Sequence, residues 1–168
     1  IIRGCRVVGI AGGSEKCRRL VEDFGFDAAI DYKNDNLFSA LKEKCPDGID
    51  LYFDNVGGQT LEATLFRMNL HGRIICCGVV SQYDTANPAP GPRGVPGLLI
   101  TKRLTMRGFL LGDDPEMLVT ADRELAQWVD DGSIVVAEDV VEGLENAPAG
   151  LIGLLAGENF GKRMVKVA

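Results

Sequence analysis

The stretch Cys5–Lys16, CRVVGIAGGSEK, decides the fold. Its first seven residues, Cys5–Ala11, form an apolar, β-branched run of the kind that fills a buried strand. Gly12 and Gly13 break the run. Ser14 then has the chemistry of a helix N-cap, its hydroxyl able to accept from first-turn amides. A helix over Glu15–Phe24 follows, apolar at Cys17, Leu20, Val21 and Phe24, with Gly25 as its left-handed stop. Strand, glycine turn and helix in that order open a β-α unit.

The same unit recurs downstream. Asp27–Tyr32 reads as a second strand, and Asn36–Cys45 as an amphipathic helix stopped by Pro46, with Asp47-Gly48 as a turn. Ile49–Phe53 is a third strand leading into Asp54-Asn55-Val56-Gly57-Gly58, and a helix runs from Gln59 to Asn69. Gly72–Gly78 (GRIICCG) is apolar on both faces, as a central parallel strand is. Ser81–Gly97, which carries Pro88, Pro90, Pro92 and Pro96, reads as the one long irregular stretch. Strands at Arg103–Leu111, Ile134–Val141 and Lys162–Val167 and helices at Pro115–Asp131 and Glu145–Leu155 complete the pattern. Repeated β-α units predict an α/β fold: a Rossmann-like, doubly wound parallel sheet with helices on both faces.

Composition narrows the partners. A chain of 168 residues with 46% hydrophobic and 25% charged positions has the make-up of one soluble domain. A net charge of −6 argues against nucleic acid and anionic membrane, and no apolar run approaches the roughly 18 residues that cross a bilayer. The five cysteines are odd in number and lack C-x-x-C spacing, so they read as free thiols in a reducing, cytoplasmic setting. The single histidine, His71, has no partners at ligand spacing, and no metal site is expected.

In a doubly wound sheet, ligands bind beyond the carboxyl ends of the strands. An NAD site places Asp or Glu at the tip of the ribose strand; here the tip is Gly12-Gly13-Ser14, followed by Lys16, Arg18 and Arg19. Amides, a hydroxyl and a lysine at a helix N-terminus make an anion site and favour NADP(H). The same residues also fit a capped helix with a solvated basic face, and Glu15 tempers the field. The dinucleotide fingerprint G-x-G-x-x-G is absent, since no two glycines are separated by a single residue. The fold class is therefore expected to lack strand 1 and its Gly-rich loop. In the strand order 3-2-1-4-5-6 that strand lies mid-sheet, so its loss leaves unpaired backbone on both sides. The expectation is a partial nucleotide-binding domain over residues 1–168 of a longer enzyme. Residues 156–168 would return toward an N-terminal lobe.

Five strings occur in register: AGGSEK (Ala11–Lys16), DYKN (Asp31–Asn34), FDNVGG (Phe53–Gly58), GRIICCGVVSQY (Gly72–Tyr83) and ENFGKRMVKV (Glu158–Val167). Together they resemble the zinc-independent medium-chain dehydrogenase/reductase family. Within it they look most like the prostaglandin reductase / leukotriene B4 12-hydroxydehydrogenase group of NADP(H)-dependent alkenal and enone reductases. The resemblance implies that Lys16 pairs with the adenosine 2′-phosphate, with Gly13 and Ser14 nearby and Tyr32 reaching the same end. It implies Asn55 on the ribose–nicotinamide side, and Cys77, Gly78, Val79, Val80, Ser81, Gln82 and Tyr83 around the nicotinamide ribose. Phe109, Leu110 and Leu111 would border the nicotinamide, and Asn159 would bond that half from the late loop. Cys77 and Gly78 could also simply end a buried strand, and Phe109–Leu111 could be core.

Such enzymes pass hydride from NADPH to the β-carbon of a small-molecule enone or enal, and the resulting enolate must be stabilised and protonated. Tyr83 is the best-placed hydroxyl for that role; a tyrosine suggested for it in some relatives falls near Thr101. The substrate walls would lie in the preceding lobe and in Asp84–Gly97. A homodimer through the edge of Arg103–Leu111 is compatible with the pattern. Rival classes fare worse. A short-chain dehydrogenase needs Tyr-x-x-x-Lys, but Asn36, Val56 and Asn87 lie four residues after Tyr32, Tyr52 and Tyr83. A methyltransferase needs a G-x-G loop. A non-catalytic nucleotide-binding or assembly module remains the alternative.

Overall fold

A computed structural model describes residues 1–83, 86–88 and 90–167. Asp84, Thr85 and Ala89, part of the expected substrate wall, lie outside the described residues. The first half alternates as β1 (Val8–Ala11), α1 (Ser14–Glu22), β2 (Ala28–Asp31), α2 (Leu37–Lys44), β3 (Ile49–Asp54), α3 (Gly58–Arg67) and β4 (Met68–Cys76). A 3₁₀ turn at Val80–Gln82 leads to α4 (Val95–Lys102), β5 (Thr105–Gly108) and α5 (Pro115–Asp130). The chain ends in β6 (Glu138–Glu142), a 3₁₀ turn at Leu144–Asn146, α6 (Ala147–Leu155) and β7 (Lys162–Lys166).

The strands pair in parallel throughout, as β1-β2, β3-β4-β5 and β6-β7. Ile30, fully buried in β2, packs with Leu41 and Cys45 under α2. Leu65 and Ile74, also fully buried, join α3 to β4 in a second cluster. Ile49 touches both clusters and so links the two halves of the core.

Several boundaries differ from expectation, each for a reason the contacts show. Ser14 is not the N-cap: Gly13 holds that position, no side chain caps the helix, and Ser14 is its first residue. The strand expected from Cys5 begins at Val8, because Val7 is drawn to Asp27, its amide donating to Asp27 Oδ2 at 2.7 Å. Helix α3 stops two residues early, where Lys102 Nζ donates to the carbonyls of Phe66 and Met68. The fifth strand is confined to Thr105–Gly108 because Arg103 adopts φ 52° to close α4. The sixth starts at Glu138, after a turn in which the Ser133 amide donates to Asp131. Helix α4 begins within the stretch Ser81–Gly97 expected to be irregular, and runs beyond it. Pro96 falls in its first turn, where the missing N–H has no partner to lose.

The feature that most shapes this fold is a slot. Among the described residues β1 pairs only with β2, and β3 only with β4, so their facing edges are unpaired. They flank a cavity of about 760 Å³ lined by Val8, Gly9 and Ile10 on one side and Ile49–Phe53 on the other. A strand residue with a rise of about 3.3 Å, a spacing of about 4.8 Å and a layer of about 10 Å fills roughly 160 Å³. The slot therefore has room for about five residues of extended chain, close to the length of the strands that border it. Leu51 and Phe53, each 53% exposed, line it from β3.

Candidate cofactor site

The carboxyl ends of β1 and β2 build one half of the site. At the tip of β1, Gly12 lies under two side chains: a methyl added there would fall 2.9 Å from Tyr32 Cε1 and 2.9 Å from Lys33 Cε. The Tyr32 amide donates to the Ala11 carbonyl at 3.0 Å, which fixes this overlap. Asp31 organises the turn. Its Oδ1 accepts from the amides of Gly13 at 2.8 Å and Lys33 at 3.0 Å, and its Oδ2 from Asn34 Nδ2 at 2.7 Å. The Gly13 amide, first among these, holds the Asp31 carboxyl below the usual carboxylate range. That amide is thus committed within the protein, while the following α1 amides have no side-chain cap. Glu15, the acid nearest the helix start, is paired with Arg18 at 2.6 Å. Lys16 Nζ donates to the Gly157 carbonyl at 2.6 Å.

The ends of β3, β4 and β5 build the other half. Asp54, 1% exposed, uses Oδ1 to accept from Tyr52 Oη at 2.9 Å and from the amides of Val56 and Gly57 at 3.0 and 2.9 Å. Burial, then the neighbouring Asp54, pushes the Tyr52 hydroxyl far above its ordinary value, so Tyr52 stays a neutral donor. The turn so formed is laced to the next strand end: Cys77 and Gly78 amides donate to the Asp54 carbonyl, Val80 to Asn55 and Ser81 to Val56. Gly78 sits so close that a Cβ would meet the Asn55 carbonyl at 3.1 Å. Ser81 Oγ lies against Gly57 and Gly58 at the head of α3. The Phe109 amide donates to the Cys76 carbonyl at 2.9 Å.

The structure thus brings Asn55, Cys77–Ser81 and Phe109 together, and Gly13, Tyr32 and the base of Lys16 in a second group. Leu110 and Leu111 are 70% and 78% exposed, so they are not core in this chain. Gln82 and Tyr83 close the 3₁₀ turn, with the Tyr83 side chain exposed. Thr101 Oγ1 donates to the Gly97 carbonyl within α4, so its hydroxyl proton is already used. Asn159 donates to the Gly161 carbonyl, and its turn meets α1 through Lys16 and Arg19 and the segment just after α1 through Phe24. Sequence reasoning gave no role to Asp31, Lys33 or Glu62. Glu62, nearly buried in α3, accepts from the Arg93 amide, Nε and Nη2 and so moors the proline-rich stretch. The first two stand in the quoted DYKN string; the Glu62–Arg93 pair left no local signal. Among the described residues no group of three or more His, Cys, Asp or Glu is placed to hold a metal ion.

Parallel strands whose carboxyl ends carry glycine turns, free helix amides and lysines define a nucleotide-binding domain of the dehydrogenase type. The chain belongs to the family described as zinc-binding dehydrogenase, whose model matches residues 1–127. Its relatives include reductases of the kind the five strings resemble. It is 46% identical over 168 residues to the 2-alkenal reductase (NADP(+)-dependent) of Nicotiana tabacum, covering 98% of this chain and 48% of the relative. It is 45% identical to prostaglandin reductase 1 of Bos taurus, again covering 98% of this chain and 50% of the relative. The crystal structure of CurA in complex with NADPH from Vibrio vulnificus superposes with a TM-score of 0.92 at 41% identity, over 99% of this chain and 51% of that one. The chain spans about half the length of the relatives it matches.

Proposed function

We propose that this chain is the cofactor-binding part of an NADP(H)-dependent oxidoreductase that reduces the C=C bond of α,β-unsaturated ketones and aldehydes. One observation carries the reading: the β1 tip offers a glycine cradle, uncapped helix amides and Lys16 where an NAD site would place a carboxylate. The residues fit NADP(H) in shape as well, since Gly13 at the β1 tip adopts φ 98° and a Cβ added there would meet nothing within 4 Å, which leaves room for a ligand beside the helix start. The alkenal and prostaglandin reductases among the relatives, and the NADPH in the superposed crystal structure, support the same choice.

Bound NADPH supplies a hydride to the β-carbon. This chain's residues bind and orient. Gly13, Ser14, Lys16 and Tyr32 take the adenosine end, and Lys16 the 2′-phosphate. Asn55 and the Cys77–Tyr83 segment take the nicotinamide ribose, with Phe109, Leu110 and Leu111 beside the ring and Asn159 from the late loop. Tyr83 is the hydroxyl assigned to ordering the ribose and stabilising the enolate oxygen; Thr101 does not replace it. The slot between β1 and β3 is filled in the full-length protein by the strand that carries the phosphate loop, and residues 156–168 lead back to the substrate lobe. The outer edge of β5, unpaired among the described residues, is the assigned contact of a homodimer, and a cytoplasmic setting belongs to the same proposal.

The test is NADPH against NADH consumption by the full-length protein with a panel of enones and enals. NADPH-preferring turnover is expected. An NADH preference overturns the Lys16 assignment. NADPH binding without consumption of any enone favours a non-catalytic module instead.

A further inference from the structure

Lys16 does not stand free at the head of α1. Its ammonium is partly buried and bonded to the Gly157 carbonyl, 141 residues away, at 2.6 Å. The turn that presents this carbonyl, between α6 and β7, is seated on α1 and the chain just after it. Phe160 stacks on Phe24 with ring centroids 5.7 Å apart, and the Arg19 guanidinium lies 3.4 Å above the Phe160 ring. The Asp139 carboxylate is engaged by Arg163 Nε and Nη2 at 3.1 and 2.7 Å and by the Phe160 amide. An ammonium has three donors, so with one held by Gly157 two remain for an anion. Gly157 adopts φ 73°, and a Cβ added there would meet nothing within 4 Å. A substitution at 157 therefore acts on the backbone and on the aim of its carbonyl, with no packing clash.

We propose that the Gly157 carbonyl is the positioning acceptor that aims Lys16 at the adenosine 2′-phosphate, so that residue 157 sets the preference for NADP(H) over NAD(H). The inference rests on the cofactor reading above and adds to it a residue far from the strand ends in sequence. It separates two kinds of ligand. A defect of the fold weakens every adenosine ligand, whereas a misaimed Lys16 weakens only those carrying a 2′-phosphate.

The experiment is calorimetric titration of the full-length protein with 2′,5′-ADP and with ADP, for wild type, Gly157→Ala, Lys16→Met and the double variant. Gly157→Ala is expected to weaken 2′,5′-ADP about five- to tenfold, the scale of one charge-assisted contact, and to leave ADP within about twofold. In the Lys16→Met background the same substitution is expected to add no further loss. Equal losses for both ligands, no loss in the wild-type background, or an undiminished loss in the Lys16→Met background would each overturn the inference. A Lys16→Met protein that still prefers 2′,5′-ADP would refute the earlier assignment of Lys16, a failure distinct from that of Gly157.

Discussion

Removing the Asp54 carboxylate should cost more than any surface substitution in this chain. One buried oxygen accepts from Tyr52 Oη, Val56 N and Gly57 N, all within 3.0 Å. Asp54→Ala strands all three donors in a place that water reaches poorly, at about 1–3 kcal/mol each. Allowing the Tyr52 hydroxyl to find another acceptor, the expected loss is about 2–6 kcal/mol, a large part of the 5–15 kcal/mol that holds a typical domain. Asp54→Asn keeps an oxygen acceptor in place and forfeits only the charge-assisted share, about 1–2 kcal/mol. The assay is urea unfolding followed by circular dichroism, with amide hydrogen exchange at Val56 and Gly57 as a local readout. Both amides should lose protection in Asp54→Ala before the global transition. An Asp54→Ala protein within about 1 kcal/mol of wild type, or one whose Val56 and Gly57 amides stay protected, would refute the idea that this carboxylate builds the turn.

Three further outcomes are expected. Iodoacetamide should label the exposed Cys77 first and the buried Cys45 last, because burial raises the Cys45 thiol; NADPH should protect Cys77. Peptide mass spectrometry reads the order, and early modification of Cys45 would contradict the packing under α2. The Asp31 carboxyl, held low first by the Gly13 amide, contributes stability that is complete above its unfolded value and is lost as pH falls through its lower folded value. Carboxyl NMR should show it titrating below an ordinary aspartate with the Gly13 amide shift following; a normal midpoint would contradict the bond. Gly78→Ala should weaken NADPH binding, because its methyl meets the Asn55 carbonyl at 3.1 Å and must push the two strand ends apart. Unchanged affinity would show that the close approach is not needed.

The order of strands and helices was legible because glycine and proline punctuate it and because the β-α period is carried by buried apolar runs. Pro96 shows the limit of that signal. The residue that halts a helix from within also begins one, and only the opening turn of α4, in which the Leu98 amide donates to the Gly94 carbonyl, tells which. Ser14 failed as a cap for a related reason, since the glycine before it already occupies the position where the chain enters the helix. At the site, strand-end residues were legible because parallel topology delivers them to one edge. The moorings were not: Lys16 to Gly157, Lys102 to the end of α3 and Arg93 to Glu62 are tertiary contacts between residues with no shared period. They decide where each side chain points, which spacing alone does not encode.

The most direct test of the account is the fate of label from NADPH deuterated at the transferring position, with an enone as acceptor and the full-length protein as catalyst. The account predicts a saturated ketone carrying deuterium at its β-carbon. Deuterium at the carbonyl carbon of an unsaturated alcohol, or no transfer to any enone, would contradict it.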